Sequence, residues 1–345
     1  MKKQGAPLTA IPSVGWVGVR GYGERLWKSV SQSGYCNIRA CFHPDRAVCE
    51  EAAHRMRCEA DFDFERLAAR ADMDALVLAV PNEFHFPYAA KALEHGKHVL
   101  VEKPLADRVS DAETLVRLAD EKKLILAVGH DYRKNAFIRK IKEMLDENKI
   151  GKLVAAEMNM SHGGALHFTE KQWRWHRDKC PGGPLNMLGS HLIDTANYLF
   201  GEPRWVTASV RKLHAPTTAE DTSQIFIEYE NDIRVQITNL YNTVSTEFIT
   251  IYGTDGALRF TRWPETGLTF QAKDISHNAA RYEKIAFEEN NPKRELFDEF
   301  IRSVMGHGRP EIGGVPALNV VRVIEACLKS SKDQTRVLLS HGALR

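Results

Sequence analysis

Between Val14 and Gly129 the chain repeatedly switches between two hydrophobic periods, and no other feature restricts its fold as severely. Short apolar runs at 14–19, 38–42, 75–80, 98–101 and 124–128 alternate with amphipathic stretches at 45–56, 84–95 and 110–121. Strands apolar on both faces, separated by helices, predict a parallel sheet covered on both sides. Ser110 followed by Glu113 predicts a capping box for the last of these helices.

After Lys134 the rhythm changes. A helix is expected at 136–147, a strand at 154–160, a polar aromatic loop at 162–181 and a helix through about 199. The stretch from 205 to 287 mostly alternates, with strands at 223–229, 233–240, 248–252 and 257–260 and turns at Asn231-Asp232 and Asp255-Gly256. That pattern predicts a large, open, mostly antiparallel sheet with one buried face. Helices at 292–305 and 317–329 close the chain. The fold class is therefore α/β, with a doubly wound parallel sheet in residues 1–131 and a second domain over 132–315.

At 345 residues, two domains are the natural expectation. Lys+Arg 47 against Asp+Glu 45, with no long basic run, argues against nucleic acid as a partner. No segment approaches the ~18 apolar residues of a membrane span. Pro7 and Pro12 interrupt any signal-peptide core after Met1-Lys2-Lys3, so a cytoplasmic protein is expected. Six cysteines without a C-x-x-C pair are read as free thiols, and their spacing does not suit zinc.

The first strand runs into Gly18-Val19-Arg20-Gly21-Tyr22-Gly23. Glycines between a strand and a helix let the backbone approach a pyrophosphate at the helix N-terminus. Arg20 stands where G-x-G-x-x-G has its middle glycine, and Gly21 takes over if the turn is shifted by one residue. The acid that would bind the ribose hydroxyls is missing, because the second strand ends on Phe42-His43 and Asp45 comes too late. By itself such a turn also suits plain packing. Another strand ends at Val80-Pro81-Asn82, where Asn82 can cap the helix that holds His85. The run Val99-Leu100-Val101-Glu102-Lys103-Pro104 ends a buried strand on a carboxylate and an amine. In an open α/β sheet a lysine there faces the ligand crevice, and Pro104 restricts its backbone.

Farther on, Gly182-Gly183-Pro184 opens a helix on which His191 and Asp194 stand three apart, on one face. An imidazole there can take a proton near neutral pH, and the carboxylate can orient it or reach a substrate. An isolated H-x-x-D reads first as a capped surface pair. His162, His167 and the run Trp173-Arg174-Trp175-His176-Arg177 supply flat and bidentate groups of the kind that stack on sugar rings and bind hydroxyls. Arg133 is a further wall candidate or a salt-bridge partner. His162, His167 and His176 could ligate a metal with His191, but spacing alone does not fix that geometry and no metal is expected.

Together the glycine turn, Val80-Pro81-Asn82-x-x-His85, Glu102-Lys103-Pro104 and Gly189-Ser190-His191-Leu192-Ile193-Asp194 resemble the Gfo/Idh/MocA family of NAD(P)-dependent sugar and cyclitol oxidoreductases. The resemblance implies an N-terminal Rossmann domain and a C-terminal α/β domain whose open sheet makes homodimer or homotetramer contacts. Helix 317–330 would pack back on the first domain. By the same resemblance Gly18, Arg20, Gly21, Tyr22, Gly23, His43, Val80, Pro81, Asn82, His85, Glu102 and Lys103 bind the cofactor. That cofactor is NAD by the family's habit, with NADP left open by the missing acid. Lys103, His191 and Asp194 are the implied catalytic residues, acting on a sugar or polyol. Arg133, His162, Trp173, Arg174, Trp175, Asn186 and Met187 line the substrate with them. Met187 stands where many members carry an aspartate, which puts a family-standard proton relay in question. The competing expectations are a dinucleotide-binding regulator without turnover and an NAD-assisted glycosidase.

Overall fold

The computed structural model describes residues 11–273 and 282–339; residues 1–10 of the stretch read above for a leader lie outside them. The chain divides into two compact units, Met1–Asp131 with Asn291–Val321 and Tyr132–Asn290 with Arg322–Arg345.

The first unit alternates β1 (Val14–Val17), α1 (Tyr22–Val30), β2 (Ile38–Phe42), α2 (Arg46–Met56), β3 (Glu59–Asp61), α3 (Phe64–Ala69), β4 (Ala75–Leu78), α4 (His85–Glu94), β5 (His98–Val101), α5 (Val109–Glu121) and β6 (Leu126–Val128). Its six strands lie in the order β3-β2-β1-β4-β5-β6, every pair parallel. All residues of β1 and β4 are buried, as cover on both faces requires. The strand order reverses at β1, which makes the carboxyl ends of β1 and β4 the ligand-binding crevice of such a sheet. β3 and α3 were not visible in the sequence, since three and six residues are too few to show a period.

Two expected caps are corrected. α5 starts at Val109, one residue before Ser110, and its N-cap position is Arg108 with no side-chain bond; the Ser110 carbonyl instead accepts from Thr114. Asn82 does not cap α4 either. It opens a short 3-10 turn, and its amide donates to Asp107 Oδ1 at 3.3 Å.

In the second unit, α6 (Ala136–Asp146) and β7 (Leu153–Ser161) are followed by a π-helical turn at Leu185–Gly189 that leads into α7 (Ser190–Phe200). Seven strands then follow: β8 (Pro203–Arg211), β9 (Thr222–Tyr229), β10 (Arg234–Leu240), β11 (Thr246–Gly253), β12 (Gly256–Thr261), β13 (Gly267–Ala272) and β14 (Tyr282–Ile285). They form a nine-stranded sheet with β7 and a terminal β15 (Val337–Leu338), in the order β14-β13-β12-β11-β7-β10-β9-β8-β15. Every described pair is antiparallel except β7 with β10. Ile225, Ile227, Val235, Ile237, Ile249 and Ile251 fill the buried face. α7 packs there through Tyr229, whose hydroxyl donates to Asn197 and whose ring meets Phe200 edge-on.

α8 (Pro292–Val304), which the sequence division places in the second domain, belongs to the first unit together with the first part of α9 (Gly314–Asp333). The cause is burial: Phe297, Phe300 and Leu318 are interior to its core, and the Phe297 ring lies 6.5 Å from that of Trp16.

One side chain lies between two strand ends of the first unit, and as a neutral ring it donates to one of the two carbonyls it faces. The His85 ring sits between the Pro104 carbonyl, 2.6 Å from Nδ1, and the Val80 carbonyl, 3.0 Å from Nε2. Burial pushes its pKa down to about 4 against the pull of those carbonyls, with Lys103 adding repulsion. An unfolded imidazole titrates near 6.5, so between these values the unfolded chain binds the extra proton. Stability is then full above about pH 6.5 and declines as the pH falls toward 4, by up to about 3 kcal/mol. Urea midpoints taken across that range should drop for the wild-type chain and flatten for His85→Gln. A wild-type midpoint that rises on acidification would contradict the neutral ring.

Candidate active site

The turn after β1 needs glycine at two places for different reasons. Gly18 has φ +99°, and a side chain on it would strike the backbone carbonyl of Ala79 at the end of β4. Gly21 has φ +56° and opens onto empty space, with nothing within 4 Å of where a Cβ would stand. It is also the N-cap of α1, and no side chain caps the first-turn N–H groups. A pyrophosphate fits such a cradle, which offers free backbone donors, the positive end of the helix and room for close approach. Gly21 leaves the kind of open backbone that a middle glycine would leave, and Arg20 is exposed beside it.

At the end of β2, His43 Nδ1 accepts from the backbone of Asp45 at 3.0 Å, and the Asp45 carboxylate turns into α2 as its N-cap on Val48. Asp45 is therefore committed to its own helix rather than to a ribose.

At the end of β5, Glu102 and Lys103 are both buried, and the Lys103-Pro104 bond is cis. The Lys103 N–H donates to Glu102 Oε2 at 3.3 Å. Gly129, beyond β6, makes room for it: a Cβ there would meet Glu102 Oε1 at 2.7 Å. Burial lifts the Glu102 carboxyl to about 7; Asp131 pushes it further up, while Lys103 and Lys293 oppose. Lys293, from α8, holds Asp131 at 2.9 Å. Asp131 and Lys293 were missed by sequence reasoning because each stands alone, with no periodic or motif signal. Val80, Pro81 and Asn82 line the neighbouring strand end, and Asn82 and His85 lie inside it rather than on its surface.

In the second unit His191 lies on the first turn of α7, just past the π-helical turn, and its ring stands 5.9 Å from Tyr132. Tyr132 donates to Glu247 Oε1 at 2.8 Å, and Arg262 braces Glu247 from the other side. No local signal marks Tyr132, whose placement depends on tertiary packing. Asp194, one turn after His191, is 0% exposed and takes a two-pronged bond from Arg133, Nε to Oδ2 at 2.7 Å and Nη2 to Oδ1. Arg133 and Asp194 are thus partners of one another, not two separate groups of a substrate wall.

Asn186, expected among the substrate-lining residues, lies in the interior. It is 2% exposed, and its amide donates to the Pro181 carbonyl at 2.6 Å, while its own carbonyl accepts from Ser190. Met187 packs beside Ala165, Leu188, Ala215 and Tyr241. The aromatic loop keeps partly open faces. His162 lies over Tyr241 with ring centroids 4.8 Å apart, and burial lowers its pKa. Trp173 and Trp175 flank Arg174, whose guanidinium stacks on the Trp173 ring at 4.5 Å. His176 bonds the Glu170 carbonyl, and among the described residues no group of three or more His, Cys, Asp or Glu side chains could hold a metal ion.

Comparisons with known proteins agree with this architecture. Residues 13–130 match the GFO/IDH/MocA model described as an oxidoreductase family with an NAD-binding Rossmann fold, and residues 138–259 match the GFO/IDH/MocA C-terminal domain. The scyllo-inositol 2-dehydrogenase (NADP(+)) of Bacillus subtilis is 27% identical over 305 residues, covering 81% of this chain and 82% of that one. The D-xylose 1-dehydrogenase (NADP(+)) of Haloarcula marismortui is 25% identical over 346 residues, covering 96% and 92%. A levoglucosan dehydrogenase in complex with NADH superposes with a TM-score of 0.86 at 18% identity, covering 95% of this chain and 99% of its own. The WlbA dehydrogenase of Bordetella pertussis, in complex with NADH and UDP-GlcNAcA, reaches 0.83 at 23% identity, covering 96% and 99%. These two structures establish the fold. No helix among the described residues is long and apolar enough to cross a membrane. The chain belongs to the GFO/IDH/MocA family of NAD-binding oxidoreductases.

Proposed function

We propose that this oxidoreductase interconverts a secondary hydroxyl and a ketone on a sugar, glycoside or cyclitol. The observation that carries the reading is the buried Glu102-Lys103 pair at the carboxyl end of β5, on the crevice edge of a dinucleotide-binding sheet. The relatives named for scyllo-inositol and D-xylose support a polyhydroxylated substrate.

The cofactor would be held by Gly18, Gly21 and the first turn of α1, with His43 toward the ribose and Val80 and Pro81 toward the nicotinamide end. When bound, its nicotinamide supplies the acceptor or donor of the transferred hydride. Lys103 Nζ donates a hydrogen bond to the reacting oxygen and stabilises the charge that grows on it. His191 takes the alcohol proton on oxidation and returns it on reduction. Asp194 acts by clamping α7 through Arg133, which makes the pair positioning residues. Trp173, Arg174, Trp175 and His162 present the stacking and bidentate groups that a sugar ring requires. Self-association through the exposed side of the nine-stranded sheet, where Phe226 and Tyr252 are uncovered, belongs to the same reading.

Formation of reduced cofactor should be followed at the nicotinamide absorbance with NAD and NADP against a panel of cyclitols, aldoses and anhydrosugars. At least one substrate should turn over, and Lys103→Ala should lower kcat/KM by about 10²–10⁴-fold with cofactor binding intact. An unchanged rate in that variant would remove the lysine from the chemistry.

The buried ion pair generates a separate expectation. Arg133→Met strands the Asp194 carboxylate in the interior and should cost about 3–5 kcal/mol in urea unfolding. Joint replacement of Arg133 and Asp194 by apolar residues of similar volume should cost far less. Equal losses in the single and joint variants would mean that the pair is not the origin of the penalty.

A further inference from the structure

The residues that follow β1 and β2 come together at one edge of the crevice. The ladder between these strands ends with Val17 beside Phe42, so Gly18-Val19-Arg20-Gly21 and His43-Pro44-Asp45-Arg46 leave the sheet side by side. In a doubly wound sheet the first stretch takes the pyrophosphate of a dinucleotide and the second meets its adenosine ribose. Arg20 is exposed, and among the described residues its guanidinium has no ion-pair or hydrogen-bond partner. His43 is half-buried. Because its Nδ1 accepts from the Asp45 N–H at 3.0 Å, the neutral ring carries its proton on Nε2 and offers a donor there. The other charges of the stretch are engaged locally. Asp45 accepts from the Val48 N–H, and Arg46 pairs with Glu50 at 3.1 Å while stacking on the Phe62 ring at 4.1 Å.

We propose that this chain selects NADP over NAD, with Arg20 and His43 binding the 2′-phosphate of the adenosine ribose. The selection rests on the dinucleotide-binding reading of the first unit and is independent of which sugar is oxidised. A free 2′-hydroxyl has a proton to donate and is best met by a carboxylate. The carboxylate of this stretch, Asp45, is turned into its own helix. A 2′-phosphate instead brings negative charge and acceptor oxygens. It is matched by a planar guanidinium that can grip two oxygens and by an imidazole N–H. The charge of Asp45 opposes that anion, and the Val48 N–H and the positive end of α2 offset it. The arginine in place of the middle glycine and the histidine in place of the acid are then one adaptation to a single ligand group.

Binding is read without sugar, by titrating the full-length chain with NADPH and with NADH and following the nicotinamide fluorescence. NADPH should bind at least about tenfold more tightly than NADH. Arg20→Gly, which restores the middle glycine, should weaken NADPH far more than NADH and so narrow that ratio. His43→Asp, which restores an acid at the end of β2, should reverse the preference. Equal or tighter binding of NADH by the wild-type chain would overturn the selection alone, as would an equal loss of both cofactors in Arg20→Gly. Binding of neither cofactor would overturn the selection and the proposed function together. The wild-type comparison decides this even if a variant fails to fold.

Discussion

Parallel strands buried on both faces can carry polar groups only at their ends, and everything in the first unit follows from that constraint. β1 and β4 are apolar throughout their hydrogen-bonded length, and β5 is apolar after His98, so charge collects where they stop. Gly18, Asn82 and Glu102-Lys103 all sit at such stops, and they are held there by packing. Gly18 is pressed against Ala79, His85 lies between two carbonyls, and Glu102 occupies the space that the missing side chain of Gly129 leaves. A lysine placed this way is oriented before any ligand arrives.

The second unit solves a different problem, that of fixing a histidine on a short helix. α7 has only eleven residues, too few to be stable alone. It is held by Tyr229 on the sheet and by the bond between Arg133 and Asp194. Isolated burial of either charge would be costly, and the bidentate geometry offsets it. Ser190 and Asn186 then use side-chain hydrogen bonds to secure the π-helical turn that precedes His191.

Much of this was legible in the chain, and the exceptions share a cause. The strand and helix periods, the glycine turn and Glu102-Lys103-Pro104 are local signals, and the structure places them at the ends of long, strongly periodic elements. Asp131, Lys293 and Tyr132 acquire meaning only from neighbours distant in sequence. The buried partners of Asn186 and Asp194 were not visible because a polar side chain in a helix gives no sign of whether a partner awaits it inside. The capping box at Ser110 missed the N-cap by two residues, within the distance over which helix starts are hardest to place.

The lone parallel pairing in the nine-stranded sheet has a consequence for the order of assembly. Two parallel neighbours cannot be joined by a hairpin, so everything between β7 and β10 is one long crossover. That crossover contains the aromatic loop, the π-helical turn, His191 and Asp194. Residue 155 meets residue 234 only after this whole length has been gathered in, whereas β11, β12 and β13 can zip locally. The segment that holds the candidate residues is therefore enclosed by a long-range contact of its sheet. Weakening the β7–β10 seam would release the candidate residues together, as a single cooperative unit.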